Sequence, residues 1–209
     1  MGNGIVLSEP MFRAVIKGRK TQIRIPIMSK DVDTFMNKFD ECGYVELLSY
    51  TGHYEKLQPR FKAGDVMYLK EPFAFDFDNK YIEKENQHFC NGNILYKYDY
   101  FLFNDSYRPI IFEEWIEPCF MPERYARYLT QIENVRCENV CDISDSDCFS
   151  EGVLSCVNNI LNYEVEIDNG IFLYGESPQI AFAKYFNSIF WEKAFEQMQW
   201  VWVYTFKCI

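Results

Sequence analysis

A cluster of positively charged residues near the start of the sequence is the first candidate for chemistry. Between residues 10 and 30 the chain carries six cations and no acid, although the whole chain has 21 Lys and Arg against 31 Asp and Glu and a net charge of −10. The six cations are Arg13, Lys17, Arg19, Lys20, Arg24 and Lys30. Such a local cluster can bind an anionic or nucleotide-sized ligand even when the protein as a whole is acidic.

Lys20 has the most suitable setting for catalysis. A lysine amine acts as a base when burial or nearby cations lower its pKa, and Lys20 has Arg19 beside it and Arg24 four residues on. A carboxylate partner can then orient water or move a proton. Glu71 and Glu151 are the candidates because each ends a well-marked predicted element. The alternative is that the cluster forms a solvated edge paired with surface acids, as charged runs generally do.

Several other chemistries lack their motifs. The sequence has no phosphate-binding loop, no dinucleotide-binding glycine pattern and no nucleophile elbow. Its two histidines, His53 and His88, do not suggest a triad or a zinc site, so we expect no metal and no cofactor. The eight cysteines contain no C-x-x-C pair and are expected to be free, mainly buried thiols. The net negative charge argues against a broad surface for duplex nucleic acid.

The predicted elements around the cluster explain how it is positioned. A helix is expected from Ser8 to Gly18, because Ser8 can cap its start and Gly18 can end it, and the cluster therefore follows its last turn. Residues 21–27 then alternate as a strand, which Pro26 confines to the edge or end of a sheet. Other strands are expected at residues 4–8, 66–71, 130–143 and 200–208, and other helices at residues 144–152 and 177–190. This pattern predicts one α+β domain over residues 1–209, built on a mixed or antiparallel β-barrel with flanking helices.

Two insertions into this domain are expected, at about residues 29–60 and 76–114. The first is predicted to hold a short capped helix over residues 29–43 and a strand over residues 44–50. The second is rich in Asp, Asn, Lys and Tyr and predicts hairpins and loops, with residues 93–100 as the best strand. The sequence has no secretory signal and no apolar run of bilayer length, so we expect a cytoplasmic protein without membrane association.

Four blocks of the sequence, in order, resemble one known family. "MFRAVIKGRKTQIR" is similar to the "ILxGRKTxTxR" signature of ASCH domains, a branch of the PUA-like superfamily, and "FKAGDVMYLKEPFAF" is similar to the family's strand with a Gly-Asp start. The segment from "WIEP" to "SEGV" and the ending "FNSIF…WVWVYTFK" resemble the blocks of ASCH-like proteins carried by phages and prophages. The blocks cover roughly half of the chain. The resemblance implies a PUA-like β-barrel with a cleft beside "GRKT" and work on RNA or nucleosides.

The resemblance also implies roles for individual residues. Small bacterial ASCH proteins include an amidohydrolase that deacetylates N4-acetylcytidine with a lysine, a threonine and a glutamate. The lysine corresponds to Lys20 and the glutamate to Glu151, whereas Ile23 stands at the threonine position and supplies no hydroxyl. Thr21 shares a strand face with Ile23 but is displaced by about 6.6 Å, the rise of two strand residues.

Three functions remain open on the sequence alone. The first is a binding module for RNA or a modified nucleoside, and its expected ligand-binding residues are Arg19, Thr21, Arg24, Tyr68 and Glu71. Tyr68 or Phe73 would offer a stacking surface, unless they pack in the core. The second function is an amidohydrolase of N4-acylated cytidine, with Lys20 as base and Glu151 as proton shuttle. The third is a non-catalytic phage or prophage accessory protein that binds a protein partner through residues 76–114. Ribonuclease activity ranks below these.

Overall fold

The protein is an α+β structure in which sheet predominates over helix. The computed structural model describes residues 3–28, 34–39, 44–49, 51–75, 94–97, 115–156, 162–168 and 170–209. The strands are β1 (Gly4–Val6), β2 (Gln22–Pro26), β3 (Thr34–Phe39), β4 (Val45–Ser49), β5 (Tyr54–Leu57), β6 (Val66–Lys70), β7 (Phe73–Phe75), β8 (Ile94–Tyr96), β9 (Leu129–Asn139), β10 (Leu154–Ser155), β11 (Tyr163–Asp168), β12 (Ile171–Gly175) and β13 (Trp200–Cys208). The helices are α1 (Glu9–Ile16), α2 (Asp145–Ser150) and α3 (Pro178–Ile189). Of these helices none is long and apolar enough to cross a bilayer.

The central sheet has five strands in the order β1-β6-β9-β13-β2. β1 runs parallel to β6, and the other neighbours are antiparallel. β13 lies between β9 and β2 and is almost wholly buried along residues 201–204, as its apolar sequence predicts. Pro26 ends β2, which lies at a sheet edge as predicted.

Three smaller sheets surround the central one. They are formed by β3-β4-β5, by β10-β11-β12 and by β7-β8. The helix predicted over residues 29–43 is wrong in its described part, because residues 34–39 form β3 and pair antiparallel with β4. Thr and Phe in this segment favour extended backbone, and pairing with a neighbouring strand outweighs a weak local helix preference. Of the predicted strand over residues 93–100, the structure describes residues 94–97, and β8 lies among them.

Polar caps begin α2 and α3 where the sequence predicts them. Ser144 Oγ accepts a hydrogen bond from the Asp147 backbone N–H, and Ser177 Oγ accepts one from that of Ile180. Gly152 follows α2 with a φ of 106°, a left-handed conformation that favours glycine. The hairpin of β11 and β12 precedes α3 directly. A Cβ at Gly175 would lie 2.4 Å from the Ala181 backbone nitrogen, so glycine allows the close approach of β12 and α3.

The central sheet is open within the part of the chain that the structure describes. Its first and last strands, β1 and β2, are not hydrogen-bonded to each other there. The helices and strands described above establish the α+β class. The closed barrel expected from the sequence is not formed by hydrogen bonds between these two strands.

Candidate functional site

The positively charged segment enters the fold as the edge strand β2. Gly18 ends α1 with a φ of 70°, and the Lys20 backbone N–H still bonds to the Ala14 carbonyl, 3.0 Å away. The Thr21 N–H then bonds to the Ser150 carbonyl at the end of α2, 2.8 Å away. This contact brings the start of β2 next to Glu151, which follows α2 directly.

Three polar side chains share the buried face of this segment. Lys20, Gln22 and Arg24 lie two residues apart, so the strand period directs them to the same side. All three are buried, with exposed fractions of 1%, 8% and 2%. The alternative that this segment is a solvated edge is therefore wrong for these residues.

Lys20 and Glu151 form a buried ion pair. Lys20 Nζ lies 2.5 Å from Glu151 Oε2 and 2.8 Å from the Glu151 carbonyl oxygen. The two side chains are 1% and 2% exposed. Burial lowers the pKa of the Lys20 amine below its ordinary value of 10.5, against the opposing effect of the Glu151 carboxylate, and Arg24 lowers it further.

Arg24 is fully hydrogen-bonded within the protein. Its Nε and Nη2 donate to Glu138 Oε1, at 2.9 and 2.6 Å, and Nη2 also donates to Asp147 Oδ2 at 3.0 Å. Its Nη1 donates to Glu151 Oε1 at 2.9 Å and to Gln22 Oε1 at 3.1 Å. These contacts use all five N–H donors of a guanidinium group. Burial alone disfavours the charged group, but Glu151 and Glu138 outweigh it and hold the pKa of Arg24 above its ordinary value.

The ionic cluster is electrically balanced. Arg136 joins it by donating to Glu138 Oε2 at 3.0 Å and to Asp147 Oδ2 at 2.7 Å. The register explains its position, because Val203 of β13 pairs with Arg24 on one side and with Arg136 on the other. We name Lys20, Gln22, Arg24, Arg136, Glu138, Asp147 and Glu151 the ionic cluster. Its three cations face three carboxylates, so the site presents no excess positive charge.

A cavity of about 280 Å³ adjoins the cluster. Its lining includes residues 5–8 of β1 and the turn after it, residues 23–25 of β2, Glu151, and one face of α3. The α3 face consists of Phe182, Tyr185, Phe186 and Ile189, at helical positions i, i+3, i+4 and i+7. We call this space the edge cavity, because it lies between the two edge strands of the central sheet. Its wall is mostly apolar, and its polar residues are Ser8, Arg24, Glu151 and Tyr185.

The structure brings three of the predicted site residues together and separates the others. Lys20, Arg24 and Glu151 meet in the ionic cluster, and Ile23 lines the edge cavity. Arg19 is exposed, and Thr21 is half-buried and held by backbone hydrogen bonds to Ser150 and Phe206.

Glu71 does not join Lys20. It is 0% exposed and accepts hydrogen bonds from Arg127 Nε at 3.0 Å and from Arg127 Nη2 at 2.8 Å. Tyr68 is 5% exposed and is not part of the cavity wall, because it packs against Gly4 of the neighbouring strand. Phe73 is also buried and contacts Tyr125. The core-packing alternative therefore holds for both aromatic residues.

Sequence reasoning missed four residues of the site. Arg136 and Glu138 alternate on one strand face, and Asp147 lies four residues before Glu151, so their spacing was visible. What the sequence hid is that these acids face β2, which is more than 110 residues away along the chain. Tyr185 belongs to a helix whose aromatic stripe is typical of core packing.

No group of His, Cys, Asp and Glu able to hold a metal ion occurs among the residues that the structure describes. The predicted protein interface over residues 76–114 lies outside the described residues, apart from residues 94–97. Comparison of the chain with family models, with curated proteins and with solved structures gave no match.

Proposed function

We propose that the protein is a PUA-like domain of the ASCH type that binds a nucleoside, free or within RNA, in the edge cavity. The observation that carries this proposal is that Ile23 and Arg24, from the ASCH-like "GRKTQIR" segment, form a wall of the cavity beside Glu151. The proposal includes a PUA-like barrel. It is supported by the position of β1 and β2, the two edge strands, on opposite sides of one cavity.

The size and lining of the cavity suit a nucleobase. Its volume of about 280 Å³ lies near the lower end of small-ligand sites, which is about 300 Å³. Aromatic residues of α3 supply an apolar face, and bases are held by stacking on such surfaces in many RNA-binding proteins. The mouth of the cavity is near Val6 and Ile189, which are 49% and 50% exposed.

Calorimetric titration with the four ribonucleosides, N4-acetylcytidine and a short single-stranded RNA tests the binding proposal. We expect Ile23→Trp, which fills the cavity, to weaken binding at least 10-fold. The matched control is Ile180→Trp, because Ile180 is 42% exposed on α3 and is not part of the cavity wall. A wild-type protein that binds none of these compounds at millimolar concentration would contradict the proposal.

A second candidate is amide hydrolysis of an N4-acylated cytidine. It is favoured by the 2.5 Å contact between Lys20 Nζ and Glu151 Oε2 and by the lowered pKa of Lys20, which increases the fraction of neutral amine. In this reaction Lys20 would take a proton from a water molecule as the water oxygen bonds to the acyl carbon. Lys20 would then transfer this proton to Glu151 Oε2 across their hydrogen bond. Glu151 would pass it to the leaving nitrogen as the carbon–nitrogen bond breaks, which yields a carboxylic acid and cytidine.

Release of cytidine from N4-acetylcytidine, followed by chromatography, tests this candidate. We expect Lys20→Ala to abolish turnover and Lys17→Ala, at an exposed residue just after α1, to leave it unchanged. Ile23→Thr restores a hydroxyl to the cavity wall and is expected to raise the rate. If neither the wild type nor Ile23→Thr releases cytidine, the protein is not this hydrolase.

A further inference from the structure

Tyr185 is a buried residue whose hydroxyl has no hydrogen-bond partner among the residues that the structure describes. The residue is 6% exposed, lines the edge cavity, and its hydroxyl makes no hydrogen bond within the described part of the chain. In the same part of the chain, every side-chain nitrogen or oxygen that is fully shielded from solvent has a hydrogen-bond partner. The hydroxyl oxygen therefore keeps surface open to free space, and the cavity is the free space that Tyr185 lines.

The neighbouring charged groups leave Tyr185 as a principal hydrogen-bond donor of the cavity. Arg24 also lines the cavity, but all five of its donors are bonded to Gln22, Glu138, Asp147 and Glu151. Lys20 directs two hydrogen bonds to Glu151 and lies under the Tyr185 ring, with Nζ 5.9 Å from its centroid.

Glu151 provides the complementary acceptor. Its Oε2 accepts from Lys20 and its Oε1 from Arg24, and each carboxylate oxygen can accept a second hydrogen bond. Beside the ionic cluster the wall thus offers the Tyr185 hydroxyl and the Glu151 carboxylate. Elsewhere it is mostly apolar, with Ser8 as a further hydroxyl residue. Because the ionic cluster is balanced, this wall does not attract an anion.

We propose that Tyr185 determines ligand specificity by donating a hydrogen bond to an uncharged planar heterocycle. The polar edge of this heterocycle carries an acceptor, which bonds to Tyr185, and a donor, which bonds to Glu151. This inference rests on the proposed nucleoside binding and narrows it. The cavity takes the base, and a phosphate group contributes nothing to affinity inside it. An unpaired donor in a mostly apolar pocket also selects against ligands that lack an acceptor, since the hydroxyl would stay unpaired in their complexes.

The experiment compares Tyr185→Phe with the wild type by calorimetry. The probes are the four ribonucleosides, their 5′-monophosphates and phenyl riboside, which has a ring of similar shape without polar base atoms. The matched control is Tyr163→Phe, because Tyr163 is a half-buried tyrosine that packs on Phe149 away from the cavity.

We expect the best-bound nucleoside to lose about 2- to 12-fold in affinity in Tyr185→Phe, the value of one neutral hydrogen bond. The preference of the wild type for that nucleoside over phenyl riboside should fall by the same factor, and Tyr163→Phe should bind as the wild type does. Each 5′-monophosphate should bind no more tightly than its nucleoside. The melting temperature of free Tyr185→Phe should equal or exceed that of the wild type, since the hydroxyl has no partner to lose.

Each other outcome has a definite meaning. If nucleosides bind and Tyr185→Phe keeps both affinity and preference, the role of Tyr185 is refuted while the proposed function stands. A melting temperature lowered by more than about 4 °C would identify the hydroxyl as a structural group and also refute it. If the 5′-monophosphates bind more than 10-fold more tightly than the nucleosides, the inference that the ligand is uncharged is refuted. Absence of all nucleoside binding by the wild type refutes the proposed function itself.

Discussion

Substitution of Arg24 by methionine tests whether the ionic cluster is a buried, interdependent structure. The Arg24 side chain is 0% exposed, and it donates four hydrogen bonds to Glu138, Asp147 and Glu151 and a fifth to Gln22. Removing one partner of a buried ion pair leaves uncompensated charge and typically costs about 3–5 kcal/mol. At about 2–4 °C per kcal/mol for a domain of this size, the melting temperature should fall by about 6–20 °C.

Arg136→Met is the matched control for this substitution. Arg136 contacts two of the same acids, Glu138 and Asp147, at comparable distances, but 30% of its side chain is exposed. Solvent screening limits the loss at such a site to about 1 kcal/mol. Urea unfolding followed by tryptophan fluorescence measures both losses.

Equal losses for Arg24→Met and Arg136→Met would refute the reasoning, because burial is the main difference between the two arginines.

Three further predictions concern other parts of the molecule. Gly175→Ala should destabilise the protein by about 1–3 kcal/mol in urea unfolding, because its Cβ would collide with the α3 backbone. The lowered pKa of Lys20 means that the unfolded chain binds more protons between that pKa and about 10.5. The stability of the wild type relative to Lys20→Met should therefore rise with pH in this window and level off above it, and a relative stability that falls would refute the assignment. Burial raises the pKa of the Cys148 thiol to about 12, so at pH 8 a disulfide reagent should label exposed Cys119 and leave Cys148 unmodified until the protein unfolds. Labelling of both at equal rates would contradict the burial of Cys148.

Local signals in the sequence predicted the elements whose ends are marked by a helix-capping residue or a proline. Ser144 and Ser177 are good helix caps, and the helices that follow them form where expected. The strand β2, with Pro26 near its end, lies at a sheet edge, as expected because proline has no N–H to donate to a neighbouring strand. Residues 34–39 were predicted wrongly because their pairing with β4 is a tertiary contact that no local propensity reports.

The site was predictable only in part. The positively charged cluster and the Lys20–Glu151 pair were both identified, the second through resemblance to ASCH domains. The solvated-edge alternative was wrong for Lys20 and Arg24, because both side chains are buried and paired with acids inside the protein. Local spacing cannot show that the neutralising acids come from β9 and α2, and composition cannot show that α3 leaves a hydroxyl open to a cavity.

The long sequence separation within the ionic cluster has a consequence for synthesis. Arg24 precedes Glu138 by 114 residues and Glu151 by 127 residues. At about 5–20 residues per second, a ribosome needs about 6–25 s to translate the interval between Arg24 and Glu151. During that time the emerging chain carries a concentrated positive charge without these acidic partners. The nascent segment therefore exposes more uncompensated positive charge than the finished protein does, in which Lys20 and Arg24 are buried against acids.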